Sequence, residues 1–106
     1  MTSKWSIAEE ESDMSDRILV INPNSNKQVT SAMDSALEPL RTSDAPNIEC
    51  VTIDEGPLGI ESQNDVDQAT QLVIKRIERD QGQADAFVVA CYSDPGLSAA
   101  RKITDK

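Results

Sequence analysis

Two stretches of the chain hold side chains able to do chemistry. In the first, the apolar run Phe87-Val88-Val89-Ala90 ends at Cys91, and the polar segment Tyr92-Ser93-Asp94-Pro95-Gly96 follows. A thiol is a nucleophile or a proton carrier once it is ionised, and local amide donors or a helix N-terminus favour the thiolate. The run before Cys91 reads as a buried strand, and Leu97 to Ile103 reads as a helix. Cys91 therefore sits at the carboxyl end of a strand, where open α/β sheets bind their ligands. A packed thiol serving as a small hydrophobe is the alternative at this position.

The second stretch is Asn22-Pro23-Asn24-Ser25-Asn26, directly after the aliphatic run Arg17-Ile18-Leu19-Val20-Ile21. Pro23 has no amide hydrogen and drives its predecessor out of the helical region. Asn24, Ser25 or Asn26 can cap a following helix. Three asparagines and a serine in five positions exceed what a cap requires. The excess favours an anion site built from helix-terminal amides and short polar side chains. The chain has no histidine, so a Ser-His or Cys-His dyad and any His-containing metal site are excluded within it.

The elements that must position these residues follow in alternation. Arg17–Ile21 is a strand of the doubly covered kind. A helix is predicted over Lys27 to Leu40, with Val29, Met33, Ala36, Leu37 and Leu40 on one face and an irregular last turn at Pro39. Ile48-Glu49-Cys50-Val51-Thr52-Ile53 reads as a second strand, and Cys50 within it as a packed, protected thiol. The loop from Asp54 to Gln63 contains Gly56, Pro57 and Gly59 and is of the kind that covers sites. A second helix starts at about Asn64, its predicted cap. Asp65 and Asp67 lie in its first turn, Val66, Ala69, Val73 and Ile77 form its stripe, and Gly82 is its predicted C-cap. Strand, helix, strand, helix, strand, helix implies an α/β fold: half of a three-layer sandwich, with a parallel sheet in the order 2-1-3 and flanking helices.

Composition bounds the function. The 106 residues allow one small domain, and the 38% of hydrophobic residues include only three aromatics, so the core is mainly aliphatic. A formal net charge of −9 argues against nucleic acid or an anionic membrane surface as partner. No apolar run approaches the ~18 residues of a membrane span. Acidic residues follow Lys4 and Trp5 where a signal peptide needs an apolar core, so a cytoplasmic chain with reduced thiols is expected. Residues 1–16, with Glu9, Glu10, Glu11, Asp13 and Asp16, read as a solvated acidic arm in which Trp5 and Ile7 are the candidates for docking. Residues 17–106 form the folded unit. Thr104-Asp105-Lys106 falls where a fourth strand would start, as in the first part of a larger α/β protein.

The pairing of Arg17-Ile18-Leu19-Val20-Ile21-Asn22-Pro23-Asn24-Ser25 with Ala90-Cys91-Tyr92-Ser93-Asp94-Pro95-Gly96-Leu97 resembles the two N-terminal motifs of the aspartate/glutamate racemase superfamily. Glu55-Gly56-Pro57 and Ile60-Glu61-Ser62 resemble the flap-like loop of its hydantoin and allantoin racemase branch. The resemblance implies two similar α/β lobes with substrate between them, each lobe giving one acid/base cysteine, with no metal, pyridoxal phosphate or flavin. Carried onto this chain, it makes Cys91 the catalytic cysteine of the N-terminal lobe. Asn22, Asn24 and Ser25 become substrate-loop residues, and Tyr92 and Ser93 hold substrate oxygens. The implied substrate is a small molecule, a hydantoin or an amino-acid derivative.

The second lobe and its cysteine have no counterpart in this sequence, and Cys50, mid-strand, cannot replace it. The expected function is thus the N-terminal lobe of a cofactor-independent racemase or epimerase, inactive alone. A maleate isomerase or arylmalonate decarboxylase relative stands within the same class. The alternative from another class is a non-catalytic truncated remnant, or a module acting by association. An exposed sheet edge suits either a homo-oligomer or a complementing second lobe.

Overall fold

The computed structural model describes residues 16–106. The rest of the acidic arm, with Trp5 and Ile7, lies outside the described residues, and the Asp16 carbonyl, just before the first strand, accepts from the Asn47 amide at 2.8 Å. Three strands, β1 (Arg17–Asn22), β2 (Asn47–Thr52) and β3 (Ala86–Val89), alternate with three helices, α1 (Lys27–Leu37), α2 (Gln63–Asp80) and α3 (Leu97–Ile103). The sheet is parallel throughout, in the order β2-β1-β3. Ile21 is opposite Val51 on one side and Val89 on the other. The predicted α/β class, strand order and third helix agree with these bounds.

Side chains alternate across the sheet. Leu19 and Ile21 point to one face and pack with Val73 and Ile77 of α2, Ala100 of α3, Ile53 and Ala84. Leu19, Ile21 and Val73 are wholly buried, each such side chain stabilising the fold by about 1.5–3 kcal/mol. Val20 points to the other face, in register with Cys50 and Val88. That face is thinly covered. α1 packs on β2 and has no buried residue of its own. The predicted apolar face of this helix is only partly used: Met33 and Leu37 are half-buried, whereas Val29, Ala36 and Leu40 are exposed. Val88, on the far strand, keeps 45% of its surface in solvent. The irregular last turn at Pro39 is a 3-10 turn over Glu38–Leu40. Arg41 follows it and ties the end of α1 to β2, donating to the Asp34 carboxylate at 2.6 Å, Glu38 at 3.0 Å and the Ile48 carbonyl at 3.2 Å.

Both ends of α2 differ from the expectation. The cap is Ser62, not Asn64: the Ser62 hydroxyl accepts from the Asp65 amide, and the Asp65 carboxylate accepts from the Ser62 amide, both at 3.1 Å. A reciprocal capping box satisfies two helix-end donors at once, which a lone Asn64 cannot do. At the other end the helix closes on Gln81 in a right-handed conformation, so Gly82 is not a left-handed cap. The Asp80 carbonyl instead accepts from Gln83 and Ala84. The glycine that the fold requires is Gly96, at φ 82°, where a Cβ would lie 3.3 Å from the Thr70 carbonyl oxygen and 3.5 Å from the Val73 Cβ. It allows α3 to start against α2.

Gly96→Ala should therefore destabilise the protein by about 1–2 kcal/mol, the cost of a left-handed alanine, with the crowding at Thr70 added. Gly82→Ala, with nothing within 4 Å of the new Cβ, should be neutral or stabilising by up to ~1 kcal/mol. Urea unfolding of the pair checks both signs. The capping box also gives a pH dependence. Hydrogen bonds from the Glu61 amide, the Ser62 hydroxyl and the Ser62 amide hold the Asp65 carboxyl below its ordinary value of 3.8. A group depressed in the folded state stabilises above its unfolded pKa and ceases to do so as pH falls through the folded one. Between about pH 5 and pH 2, Asp65→Asn should lose less stability than the parent chain, read from urea midpoints across that window.

Candidate active site at the carboxyl edge

β1 and β3 are adjacent and parallel, so their carboxyl ends open on the same edge of the sheet. The pairing runs one step past β3, with the Ala90 amide donating to the Ile21 carbonyl at 2.8 Å. Cys91 therefore emerges beside the loop that follows β1, as the sequence pattern requires. Its side chain is half-buried, with Sγ 3.6 Å from the Ser93 Oγ. The backbone turns sharply here. The Cys91 carbonyl accepts from the Asp94 amide at 3.0 Å, and the Asp94 carbonyl from the Leu97 amide at 3.1 Å. Asp94 adopts φ 49°, the one non-glycine residue with positive φ among those described. Conformational strain of this kind concentrates at functional loops. Tyr92 is fully exposed and Ser93 is exposed.

The Asn22–Asn26 loop is held by a ladder of asparagines. Asn22 Oδ1 accepts from the Asn24 amide at 3.2 Å, Asn24 Oδ1 from the Asn26 amide at 2.9 Å, and Asn26 Oδ1 from the Gln28 amide at 3.0 Å. Each is an Asx turn two residues long, and the last one is also the cap of α1. The Ser25 amide donates to the Pro57 carbonyl at 2.9 Å. This corrects the expected amide-lined anion site, because the amides of Asn24, Ser25, Asn26 and Gln28 are already engaged within the protein. The excess of asparagines is explained by the ladder. What the loop offers a ligand is its side-chain donors, the Asn24 carboxamide and the Ser25 hydroxyl, both on half-buried residues.

Asn22 itself is 1% exposed. Its Nδ2 donates to the Asn26 carbonyl at 3.1 Å and to Thr30 Oγ1 at 3.0 Å. Thr30 Oγ1 lies 2.6 Å from Thr52 Oγ1, at the end of β2. Thr30 and Thr52 were not among the residues singled out from sequence. The available signal was positional: Thr52 occupies the same register as Asn22, so two polar residues end adjacent strands together.

Cys50 departs from its expected place. It is mid-strand as predicted, but half-exposed and not protected in the interior. β2 is an edge strand, and α1 leaves part of it open. Cys50 lines an open cleft of about 540 Å³ together with Lys27, Thr30, Thr52 and Arg76. Cys91 does not line that cleft. Among the described residues no three His, Cys, Asp or Glu side chains converge as a bound metal would need. No described helix is long and apolar enough to cross a membrane.

The loop after β2 is fitted to the loop after β1 at Gly56, where a Cβ would lie 2.7 Å from the Pro23 carbonyl oxygen and 3.1 Å from that of Ile53. Both obstacles are backbone, so the two loops would have to part. Gly56→Ala should lower stability by about 1–3 kcal/mol, the range for overpacking. It should also speed hydrogen exchange at the Ser25 amide, whose acceptor is Pro57. Exchange at Ser25 unchanged from the parent would show that the loops separate elsewhere.

Comparison with known proteins places this geometry. The family model described as Asp/Glu/Hydantoin racemase matches residues 18–106. Hydantoin racemase of Pseudomonas sp. (strain NS671) is 41% identical over 91 residues, covering 85% of this chain and 36% of that protein. Hydantoin racemase of Paenarthrobacter aurescens is 40% identical over 93 residues, covering 85% and 39%. Among solved structures, allantoin racemase from Klebsiella pneumoniae superposes with a TM-score of 0.71 at 34% identity, covering 83% of this chain and 36% of that one. The chain thus spans well under half the length of these relatives. By the match over residues 18–106, it belongs to the Asp/Glu/hydantoin racemase family.

Proposed function

We propose that residues 17–106 are the N-terminal lobe of a cofactor-independent racemase or epimerase, acting on a hydantoin-like ring or an amino-acid derivative. The observation that carries this is the juxtaposition of the half-exposed Cys91 with the Asn22–Asn26 loop at the ends of two neighbouring parallel strands. Membership of the racemase family supports a small-molecule substrate.

In this reading the Cys91 thiolate removes the proton from the substrate's chiral carbon. The C–H bond breaks, an S–H bond forms, and the electron pair passes to the adjacent carbonyl as an enolate. Protonation on the opposite face by a second thiol completes inversion and leaves that sulfur as the thiolate. Asn24 and Ser25 donate to substrate oxygens from one side, Tyr92 and Ser93 from the other, and Asn22 shapes the loop. Enolate charge is stabilised by such preplaced donors. The second thiol belongs to a second lobe, in the same polypeptide or in a partner.

Both thiols are half-exposed, so their order of alkylation does not decide the matter; protection does. A carbonyl-containing hydantoin analogue should slow alkylation of Cys91 about ten-fold or more near saturation and leave Cys50 unchanged, read by mass spectrometry of the two peptides. Under mass action, a ten-fold effect needs the analogue at about ten times its Kd. Equal slowing of both thiols, or of neither, would overturn the assignment of Cys91.

A further inference from the structure

We propose that Thr30 and Thr52 are positioning residues of the substrate loop, acting through the buried carboxamide of Asn22. The inference rests on the reading of that loop as the substrate-holding one. It begins with hydrogen-bond bookkeeping. A carboxamide has two N–H donors and an acceptor oxygen. In Asn22 both hydrogens are committed, to the Asn26 carbonyl and to Thr30 Oγ1, and the oxygen holds the Asn24 amide. The reverse orientation would set oxygen against the Asn26 carbonyl and NH₂ against the Asn24 N–H, so only one rotamer satisfies the site.

Thr30 meets the second hydrogen of that carboxamide from outside the loop. Its hydroxyl lies between the Asn22 donor and Thr52 Oγ1, 2.6 Å away. Thr52 ends β2 in register with Asn22. The strand therefore holds the threonine pair, the pair holds the carboxamide, and the carboxamide sets the first rung of the asparagine ladder. The second rung fixes the Asn26 amide, and the residues between, Asn24 and Ser25, are those that would meet substrate. Neither threonine borders Cys91 in the sheet; both act through Asn22. Asn22 is buried, so a donor left without its acceptor cannot turn to water and the loop must rearrange.

The test compares Thr30→Val, which keeps the shape and removes the hydroxyl, with Thr30→Ser, which keeps the hydroxyl and removes the methyl. The first readout is amide hydrogen exchange by NMR in the ligand-free chain. Thr30→Val should raise exchange at Asn24 and Asn26 about ten-fold relative to core amides such as Ile21, the scale of one buried bond lost. Thr30→Ser should stay near the parent value. The second readout is the analogue concentration that half-protects Cys91 from alkylation, which should rise about ten-fold in Thr30→Val and be rescued in Thr30→Ser. A packing role predicts the reverse, with valine harmless and serine costly. Thr52→Val repeats the test from the other end should Thr30→Val fail to fold. Parent-like exchange at Asn24 and Asn26 in both valine variants would overturn the proposal. If the analogue protects nothing in the parent chain, the racemase reading of Cys91 fails, while the exchange result still decides whether the threonines set the loop.

Discussion

Asn22 is the constraint on which the carboxyl edge depends. It ends the central strand, which is paired on both sides, and its side chain is nearly sealed from water. A buried carboxamide must find its partners inside the protein or forfeit roughly 1–3 kcal/mol for each group left unmet. The partners it finds are spread over three elements: the loop after β1, the first turns of α1 and, through Thr30, the end of β2. Satisfying one side chain thus fixes the entry of α1 and the path of the loop together. The Ser25 amide then ties that loop to Pro57 across the gap to the loop after β2. The loop's path follows from hydrogen-bond saturation.

The strands were legible because their signals are local. Arg17–Ile21 and Phe87–Ala90 are unbroken aliphatic or β-forming runs, and the polar segments that end them each contain a proline, Pro23 and Pro95. Their alternation with helical periodicity leaves few topologies open. Other features failed for reasons that can be named. The Ser62–Asp65 box uses aspartate where the recognised pattern has glutamate or glutamine, so Asn64 looked the better cap. Gly82 resembled a C-cap, but a glycine's type carries no record of its φ. Cys50 was expected to be protected because its neighbours in sequence are those of a strand; its exposure depends on β2 being an edge and on α1 covering only part of it. The Thr30–Thr52 contact joins α1 to β2 across 22 positions, and no periodicity reports it.

Electrostatics sets a further condition on any anionic ligand. The chain carries a formal net charge of −9, and its described cleft beside β2 mixes Lys27 and Arg76 with Asp34, Glu49 and Asp54. The global field repels an enolate or a thiolate. Under the proposed function, enolate charge beside Cys91 is stabilised by dipoles close by, where a hydrogen bond outweighs distant charges screened by solvent. The amides of Asn24, Asn26 and Gln28 are engaged by the asparagine ladder and that of Ser25 by Pro57, so those dipoles are side-chain donors and the backbone around Tyr92 and Ser93. This separates the loop's two tasks. Its backbone holds the protein's own shape and, under the proposed function, the side chains of Asn24 and Ser25 remain for substrate.

A single sheet edge has a stereochemical consequence. Under the proposed function, the groups that β1 and β3 present at their carboxyl ends would approach a planar enolate from one side. A proton removed and returned there restores the original configuration. Inversion needs an acid on the opposite face, several ångströms away across the substrate plane. Cys50 cannot reach that position: it lies in the middle of β2, two register steps short of the edge, with its side chain directed to the α1 face of the sheet. Under the proposed function, the three-stranded unit supplies one half of a two-base mechanism, and the fold itself dictates that the other half come from outside it. The extra length of the hydantoin and allantoin racemases is where such a group would be carried, since this chain matches little more than a third of each.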